Sequence, residues 1–401
     1  MRAPQTQLNK PEFVALMGMS FASIAFSIDA MLPALPDIGK ALTPDALNRA
    51  QLILTSFVLG MGMGTFVTGP LSDAFGRRRV LLGGFVLYIV GAILGMLAGS
   101  LELMLAARVI QGVGAAGPRV VAMAIIRDRF SGRQMAQLMS FVMMVFTLVP
   151  AIAPSMGAVI IAFVGWRGLF GAFVVFALVN GGWFALRQPE TLDPQARREF
   201  RASVLWSGVK EVLSNATVRV TILVQTLVLG SLFGMLSSTQ QIFDITFDQG
   251  ENFPLWFGAI ALTAGTASIV NAAFVVRLGM RLMIRLTLVG QVLISGTIVA
   301  ALSFNLMPDW VYFPAILFWT TSVFFMAGMT IGNLNAIAME PMGHMAGMAA
   351  SVTSAIFTIL AVAIAAPMGL AFDGTPLPLA IGVFCCALLA LGLMQFIRRE
   401  P

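Results

Sequence analysis

Apolar residues in this chain fall in runs of about twenty, divided by short polar or Pro/Gly-rich links. The first six runs lie at 13–32, 52–69, 80–98, 103–126, 136–164 and 169–186. After a polar stretch the pattern resumes at 221–238, 255–276, 282–302, 311–334, 346–370 and 377–397. A helix needs about 20 apolar residues to cross the hydrocarbon core of a bilayer, so each run has the length of one crossing. The pattern predicts an all-α polytopic membrane protein with twelve transmembrane helices, six on either side of the polar stretch. That gives an N-terminal six-helix bundle over 1–186, a linker over 187–219 and a C-terminal six-helix bundle over 220–401. The linker is marked by charge: Arg187, Glu190, Asp193, Arg197, Arg198, Glu199, Arg201, Lys210, Glu211 and Arg219.

Composition agrees with the pattern. Hydrophobic residues make up 58% of the 401 residues before the 39 glycines are counted, and charged residues only 10%, against about 25% in soluble proteins. A chain this poor in charge has too little polar surface to be soluble. The net charge of +6 does not point to nucleic acid, because the basic residues sit in short groups between apolar runs and form no solvated basic face. Cys385 and Cys386 are adjacent in the last run, which offers neither a disulfide framework nor a metal cluster. The first run has no small-residue cleavage signal after it, so it reads as a retained span and not a signal peptide.

Basic residues also set an orientation. With the N-terminus inside, 19 Lys and Arg fall in inner segments and only Lys40, Arg49 and Arg167 in outer ones. That asymmetry predicts both termini in the cytoplasm. Two basic residues remain, Arg108 and Arg119, both inside the fourth run.

Three groups of residues carry candidate chemistry. Asp29 lies about six residues past the centre of the first run, roughly 9 Å toward the outside, where an acid is costly unless paired, protonated or wetted. Arg108 lies at a similar outer depth on the fourth run, and the two can meet if their helices are neighbours. Asp29 then reads either as a proton-titrating or cation-binding group, or as half of a fixed ion pair or a residue facing outer water. Arg119 follows Arg108 by eleven residues, within about 20° of the same helix face, and serves either function or structural pairing. In the fifth run Met139, Met143, Phe146, Pro150 and Pro154 form one stripe, a candidate adaptable wall for ligands on a helix that proline bends. In the seventh run Phe233, Ser237 and Gln241 make a second stripe. Gln225, Asn271 and Gln291 read as interhelical hydrogen-bond partners, and His344 as a loop residue.

The link between the second and third runs reads Gly69-Pro-Leu-Ser-Asp73-Ala-Phe-Gly76-Arg77-Arg78-Arg79. Arg277-Leu-Gly279-Met-Arg281 echoes it about half the chain later, as a duplication would place it. The first link resembles the signature loop of the major facilitator superfamily, G-x-L-a-D-r-x-G-r-r, with Ala74 where the family often has a base. Arg108-Val-Ile-Gln111-Gly112 resembles that family's fourth-helix motif. Asp29-Ala-Met-Leu-Pro33-Ala-Leu-Pro36, Arg127-Asp128-Arg129-Phe130 and Pro150-Ala-Ile-Ala-Pro154-Ser-Met-Gly157 are similar to the Bcr/CflA drug:proton antiporter branch. The fifth-helix antiporter motif is degraded, with Val149, Ala153 and Ala158 in place of glycines.

The resemblance implies two pseudo-symmetric six-helix bundles about a central cavity, in a secondary transporter that exports drugs or small metabolites in exchange for protons. It implies a multi-pass protein of the inner (cytoplasmic) membrane, working as a monomer, with small molecules, protons and lipid as its partners and no nucleic acid. Proton coupling would rest on Asp29 and Arg108. The substrate cavity would include Arg119, Met143, Phe146, Phe233, Ser237 and Gln241. Gly69, Asp73, Gly76, Arg77, Arg78 and Asp128 would form an inner gating loop, and Pro150, Pro154 and Gly157 a helix bend. No P-loop is present, nor a zinc set or a catalytic Ser/His pairing, so no cofactor, metal or enzyme activity is expected. A metabolite uniporter or symporter, or a non-transporting membrane sensor, remains the alternative at this stage.

Overall fold

In the computed structural model, residues 8–197, 200 and 202–397 are described. They form helices and no strand. Helix α1 (Lys10–Asp29) starts where the Asn9 side chain accepts from the Glu12 N–H at 2.9 Å, with Pro11 in the first turn, a position that needs no donor. It stops at Asp29 because Pro33 and Pro36 follow and cannot donate to a continuing helix. The chain passes through a 3₁₀ turn, Leu32–Ala34, into the short α2 (Leu35–Leu42).

Helices α3 (Leu52–Phe75) and α4 (Arg77–Met96) meet at Gly76, whose φ of 96° is one that residues with a side chain rarely adopt. Ser100 caps α5 (Leu101–Arg129) by accepting from the Leu103 N–H. Helix α6 (Gly132–Arg187) has 56 residues and breaks at Gly165, φ 68°. Unbroken it would be about 84 Å long against a hydrocarbon core of about 30 Å. The break falls between the two apolar runs read there from the sequence.

A further helix, α7 (Ala202–Ser214), lies in the charged stretch read as a linker. Asn215 caps α8 (Ala216–Gln241) through the Val218 N–H at 3.1 Å. Helices α9 (Phe253–Leu278) and α10 (Met280–Ser303) meet at Gly279, φ 79°, as α3 and α4 meet at Gly76. The last three are α11 (Asp309–Met339), α12 (Ala346–Leu370) and α13 (Leu377–Leu393).

Among the described residues nine helical stretches are long and apolar enough to cross a membrane. Two of them, Gly132–Arg187 with 56 residues and Asp309–Leu370 with 62, are far longer than one crossing needs. Leu377–Leu393 is apolar but shorter.

The chain divides into two compact units. The first comprises Met1–Asp37 and Ser56–Trp206, the second Ile38–Thr55 and Ser207–Pro401. In the first, α4 packs on α5 and α6, and α1 packs on α6 and α5. Near the C-terminal end of α1 this unit is filled by an aromatic chain: Phe26 meets Phe173 edge-on at 5.3 Å between centroids, and Phe170 meets Phe173 at 5.8 Å. In the second, α8 packs on α11, α12 and α13, and α10 on α11 and α13. Val86, Val90, Phe163, Leu186, Ile269 and Val276 are exposed. Apolar surface of this extent suits lipid contact and not water.

Candidate functional site

The first unit holds a buried polar cluster near the C-terminal end of α1, built on a serine stripe. Ser20, Ser23 and Ser27 recur at helical spacing on α1 and each returns its hydroxyl to a backbone carbonyl one turn back, Ser27 Oγ to Ser23 O at 2.5 Å. That bond uses the only hydroxyl proton of Ser27, so the Tyr88 hydroxyl, which also meets Ser27 Oγ, is the donor of the pair. The end of α1 adds a carbonyl: the Met31 N–H turns to Ile28 O in the tightening last turn, and Ser27 O accepts from Arg108 Nη2 at 3.0 Å. A cation there complements the partial negative charge of a helix C-terminus.

Arg108 is fully buried. Its Nη1 donates to Gln111 Oε1 at 2.7 Å, and its guanidinium carbon lies 4.4 Å from the centre of the Phe57 ring. This closeness of α3 and α5 depends on Gly112, where a Cβ would run into the backbone of Phe57 and Met61. Asp29 is the last residue of α1 and 6% exposed. Among the described residues its carboxylate has no hydrogen-bond partner and joins no ion pair. The structure thus puts Asp29 two residues past the carbonyl that holds Arg108, without a salt bridge between the two side chains.

A second cluster gathers at the junction of α3 and α4. The Arg77 guanidinium pairs with Asp73, donates to Ser72 Oγ at 2.7 Å and reaches Asp128 Oδ2 at 3.0 Å. Thr191 Oγ1 donates to the same Asp128 oxygen at 3.0 Å. Arg78 Nη2 donates to the Ala185 carbonyl at 2.5 Å. Gly69 accepts from Ser72 Oγ at 2.8 Å. Glu190, which the sequence reading assigned only to the linker, takes the Arg77 and Arg78 N–H groups on its two carboxylate oxygens at 2.9 and 3.1 Å. It caps the N-terminus of α4, where anions are favoured. The second unit repeats part of this arrangement: Arg281, two residues after Gly279, pairs with Glu340 at 2.8 Å.

The remaining candidates are scattered along their helices. Arg119 lies on α5, partly buried, and its Nη1 donates to the Met61 sulfur at 3.8 Å. Met143 is partly buried on α6, and the side chain of Phe146 lies outside the described residues. Pro150 and Pro154 sit inside α6, and Gly157 presses on the backbone of Ala30. In the second unit Ser237 is buried and donates to Gly234 O at 3.1 Å, while Phe233 is partly buried. Gln241 belongs to an amide cluster: its Nε2 donates to Asn48 Oδ1 at 2.7 Å, its Oε1 accepts from Gln51 Nε2, and Ser238 Oγ donates to Gln51 Oε1 at 3.1 Å.

Asn333 on α11 donates to Asn271 on α9 at 2.7 Å, an interhelical bond. Gln291 instead bonds within α10, to Ser295 at 2.9 Å, and Trp319 of α11 reaches the same hydroxyl at 3.0 Å. Gln225 is buried, and among the described residues its amide has no hydrogen-bond partner. His344 meets Glu211 of α7 at 2.7 Å. Among the described residues no cluster of His, Cys, Asp or Glu is arranged to hold a metal.

Sequence reasoning missed Ser27, Tyr88, Glu190, Asn48 and Gln51. Tyr88 carried a signal, being one of only two tyrosines in the chain and set in an apolar run. Glu190 carried none, because its partner is a backbone terminus.

Comparison with known proteins agrees with this architecture. The family model described as Major Facilitator Superfamily matches residues 16–367. A bicyclomycin resistance protein homolog of Haemophilus influenzae is 28% identical over 356 residues, covering 86% of this chain and 85% of that protein. A chloramphenicol resistance protein of Pseudomonas aeruginosa is 34% identical over 184 residues, covering 46% of this chain and 42% of that one. Among solved structures, the xylose transporter XylE from E. coli superposes with a TM-score of 0.71 at 14% identity over 98% of both chains, a likeness of fold alone. Helices of membrane-crossing length, the glycine-hinged arginine link and a family match across most of the chain lead to one assignment: this multi-pass membrane protein belongs to the Major Facilitator Superfamily of transporters.

Proposed function

We propose that the protein exports drugs or small metabolites across the inner membrane in exchange for protons, with Asp29 as the group that takes up and releases the proton. One observation carries this reading: Asp29, the only acid in its apolar run, is 6% exposed with neither ion pair nor hydrogen bond among the described residues. A permanently charged, unpaired carboxylate at membrane depth is costly. A carboxyl that can be neutralised by a proton escapes that cost in one of two states, and such a difference shifts a conformational equilibrium. Arg108, held to the Ser27 carbonyl two residues before Asp29, is the second residue of the proposed coupling site. Relatives named for resistance to bicyclomycin and chloramphenicol support export of drug-like molecules.

On this reading the chain crosses the membrane twelve times, as bundles over 1–186 and 220–401 joined by a linker over 187–219. It works as a monomer with both ends in the cytoplasm. Arg119, Met143, Phe146, Phe233, Ser237 and Gln241 contact substrate along its path. The cluster of Gly69, Asp73, Gly76, Arg77, Arg78 and Asp128 latches the inner side, and Pro150, Pro154 and Gly157 bend the helix that flanks Asp29. The test is transport by purified protein in vesicles with an imposed pH gradient. Asp29→Asn is expected to abolish gradient-driven accumulation while sparing downhill exchange, and Asp29→Glu to retain part of the activity with an altered pH profile. Undiminished uphill transport by the Asn variant removes Asp29 from the mechanism, and gradient-independent transport by the wild type removes the protons.

A further inference from the structure

Several arginines of this structure are answered by oxygen. Arg77 has two carboxylates, Arg281 has Glu340 and Arg187 has Glu12. Arg167, Arg219 and Arg285 donate to backbone carbonyls at helix ends, and Arg108 has Gln111 and the Ser27 carbonyl. Arg119 differs from all of these. Its one hydrogen bond among the described residues goes to the thioether of Met61, at 3.8 Å, and it joins no ion pair.

Its position makes that unusual. Arg119 precedes the end of α5, Arg129, by ten residues, about 15 Å of helix rise. That is too far for the side chain to reach the interfacial water at the inner end, as arginines near helix ends do. A guanidinium has five donors, and a thioether sulfur is a weak acceptor that satisfies one of them poorly. By solvent accessibility the residue as a whole is intermediate and not fully buried, as a group that meets a ligand has to be. An arginine in the middle of a membrane helix is retained only where something repays its desolvation, and the described residues supply no anion here.

We propose that the missing partner is the ligand: Arg119 is the anion-binding point of the substrate path, and the transported molecules carry an oxyanion, a carboxylate or its sulfonate and phosphate analogues. The planar fork of the guanidinium matches two oxygens of such a group at once, the strongest arrangement available to it. This inference rests on the reading of Arg119 as a substrate contact and goes past it by naming what the substrate must carry. Met61 then acts as a placeholder, a soft acceptor that an incoming oxyanion displaces without leaving a strong hydrogen-bonding group orphaned.

The test uses the full chain purified in neutral detergent. Aryl carboxylates, sulfonates and phosphates are each compared with their neutral amide or ester, by ligand-induced thermal stabilisation and by equilibrium competition. The expected result is that anionic members bind at least about tenfold tighter than their neutral partners, the scale of a charged hydrogen bond. Arg119→Gln should erase that preference, and Arg119→Lys should keep part of it as a point charge without the fork. Before ligand is added, the unfolding midpoints of both variants check that they are folded. A preference for neutral members, no binding by any acid, or an acid preference that survives Arg119→Gln overturns the proposal. Anionic phospholipid added in a separate arm distinguishes a headgroup from a substrate: stabilisation by lipid alone, lost in Arg119→Gln, also overturns it. Binding is read without a pH gradient, so this result stands or falls apart from proton coupling at Asp29.

Discussion

Gly157 of α6 lies against the backbone of Ala30, the residue after Asp29; a Cβ at position 157 would meet the Ala30 carbonyl, with its Cα and carbonyl carbon at 3.0 Å. The atoms in the way are backbone, so they cannot rotate aside as a side-chain tip does. Gly157→Val is therefore expected to destabilise the protein by about 1–3 kcal/mol, the usual range for overpacking, and to depress transport by moving the end of α1. Gly157→Ala should do the same to a smaller degree. Unfolding midpoints in detergent decide it, and a Val variant as stable as the wild type would show that the two helices are not in this contact.

Arg77 stands between two acids, Asp73 one turn before it and Asp128 at the far end of α5. Neither acid belongs to the buried cluster near Asp29. Asp73→Asn and Asp128→Asn are each expected to slow flux more than they weaken substrate binding, because a latch differs between conformations without touching ligand. The double variant should be less stable than either single one, since it leaves a largely buried guanidinium without a counter-charge. Flux in vesicles and binding in detergent have to be measured on the same preparations, and equal losses of both count against a latch.

The Tyr88 hydroxyl donates to Ser27 Oγ inside the first unit, and both residues are buried. Tyr88→Phe and Ser27→Ala each remove this bond while largely conserving shape. A double-mutant cycle on unfolding free energy should return a coupling of about 0.5–1.5 kcal/mol. Strict additivity would mean that the hydroxyls do not pair.

Orientation is open to chemical labelling. Cys385 is exposed and Cys386 buried, so both are first replaced by serine. Single cysteines at Arg78, Arg129 and Arg281 are then expected to resist an impermeant thiol reagent in intact cells and to react in inverted vesicles. Reaction from the outside of intact cells would reverse the assignment made from the basic residues of the loops.

How far each feature was legible follows from the range of the interaction behind it. Gly165 breaks α6 between two apolar runs that could be counted on paper, because a hydrophobic run and its breaker lie in one stretch of chain. The candidate pair of Asp29 and Arg108 was legible as two charges at similar depth. Depth along a helix does not say which way a side chain points, and Arg108 turns to Gln111, Phe57 and the Ser27 carbonyl.

By itself the sequence determined the class of the protein, the presence of apolar runs long enough to cross a bilayer and the residues that are out of place in lipid. Each of these follows from transfer free energy, summed residue by residue along a local window. Only the tertiary structure decided partners. Glu190 had to come back from beyond α6 to cap α4, Asn48 and Gln51 had to meet Gln241 across nearly half the chain, and Arg119 was left with a sulfur. A hydrogen bond or ion pair depends on a few ångströms and a direction in space, and no pattern along one chain of 401 residues contains those before the helices have packed.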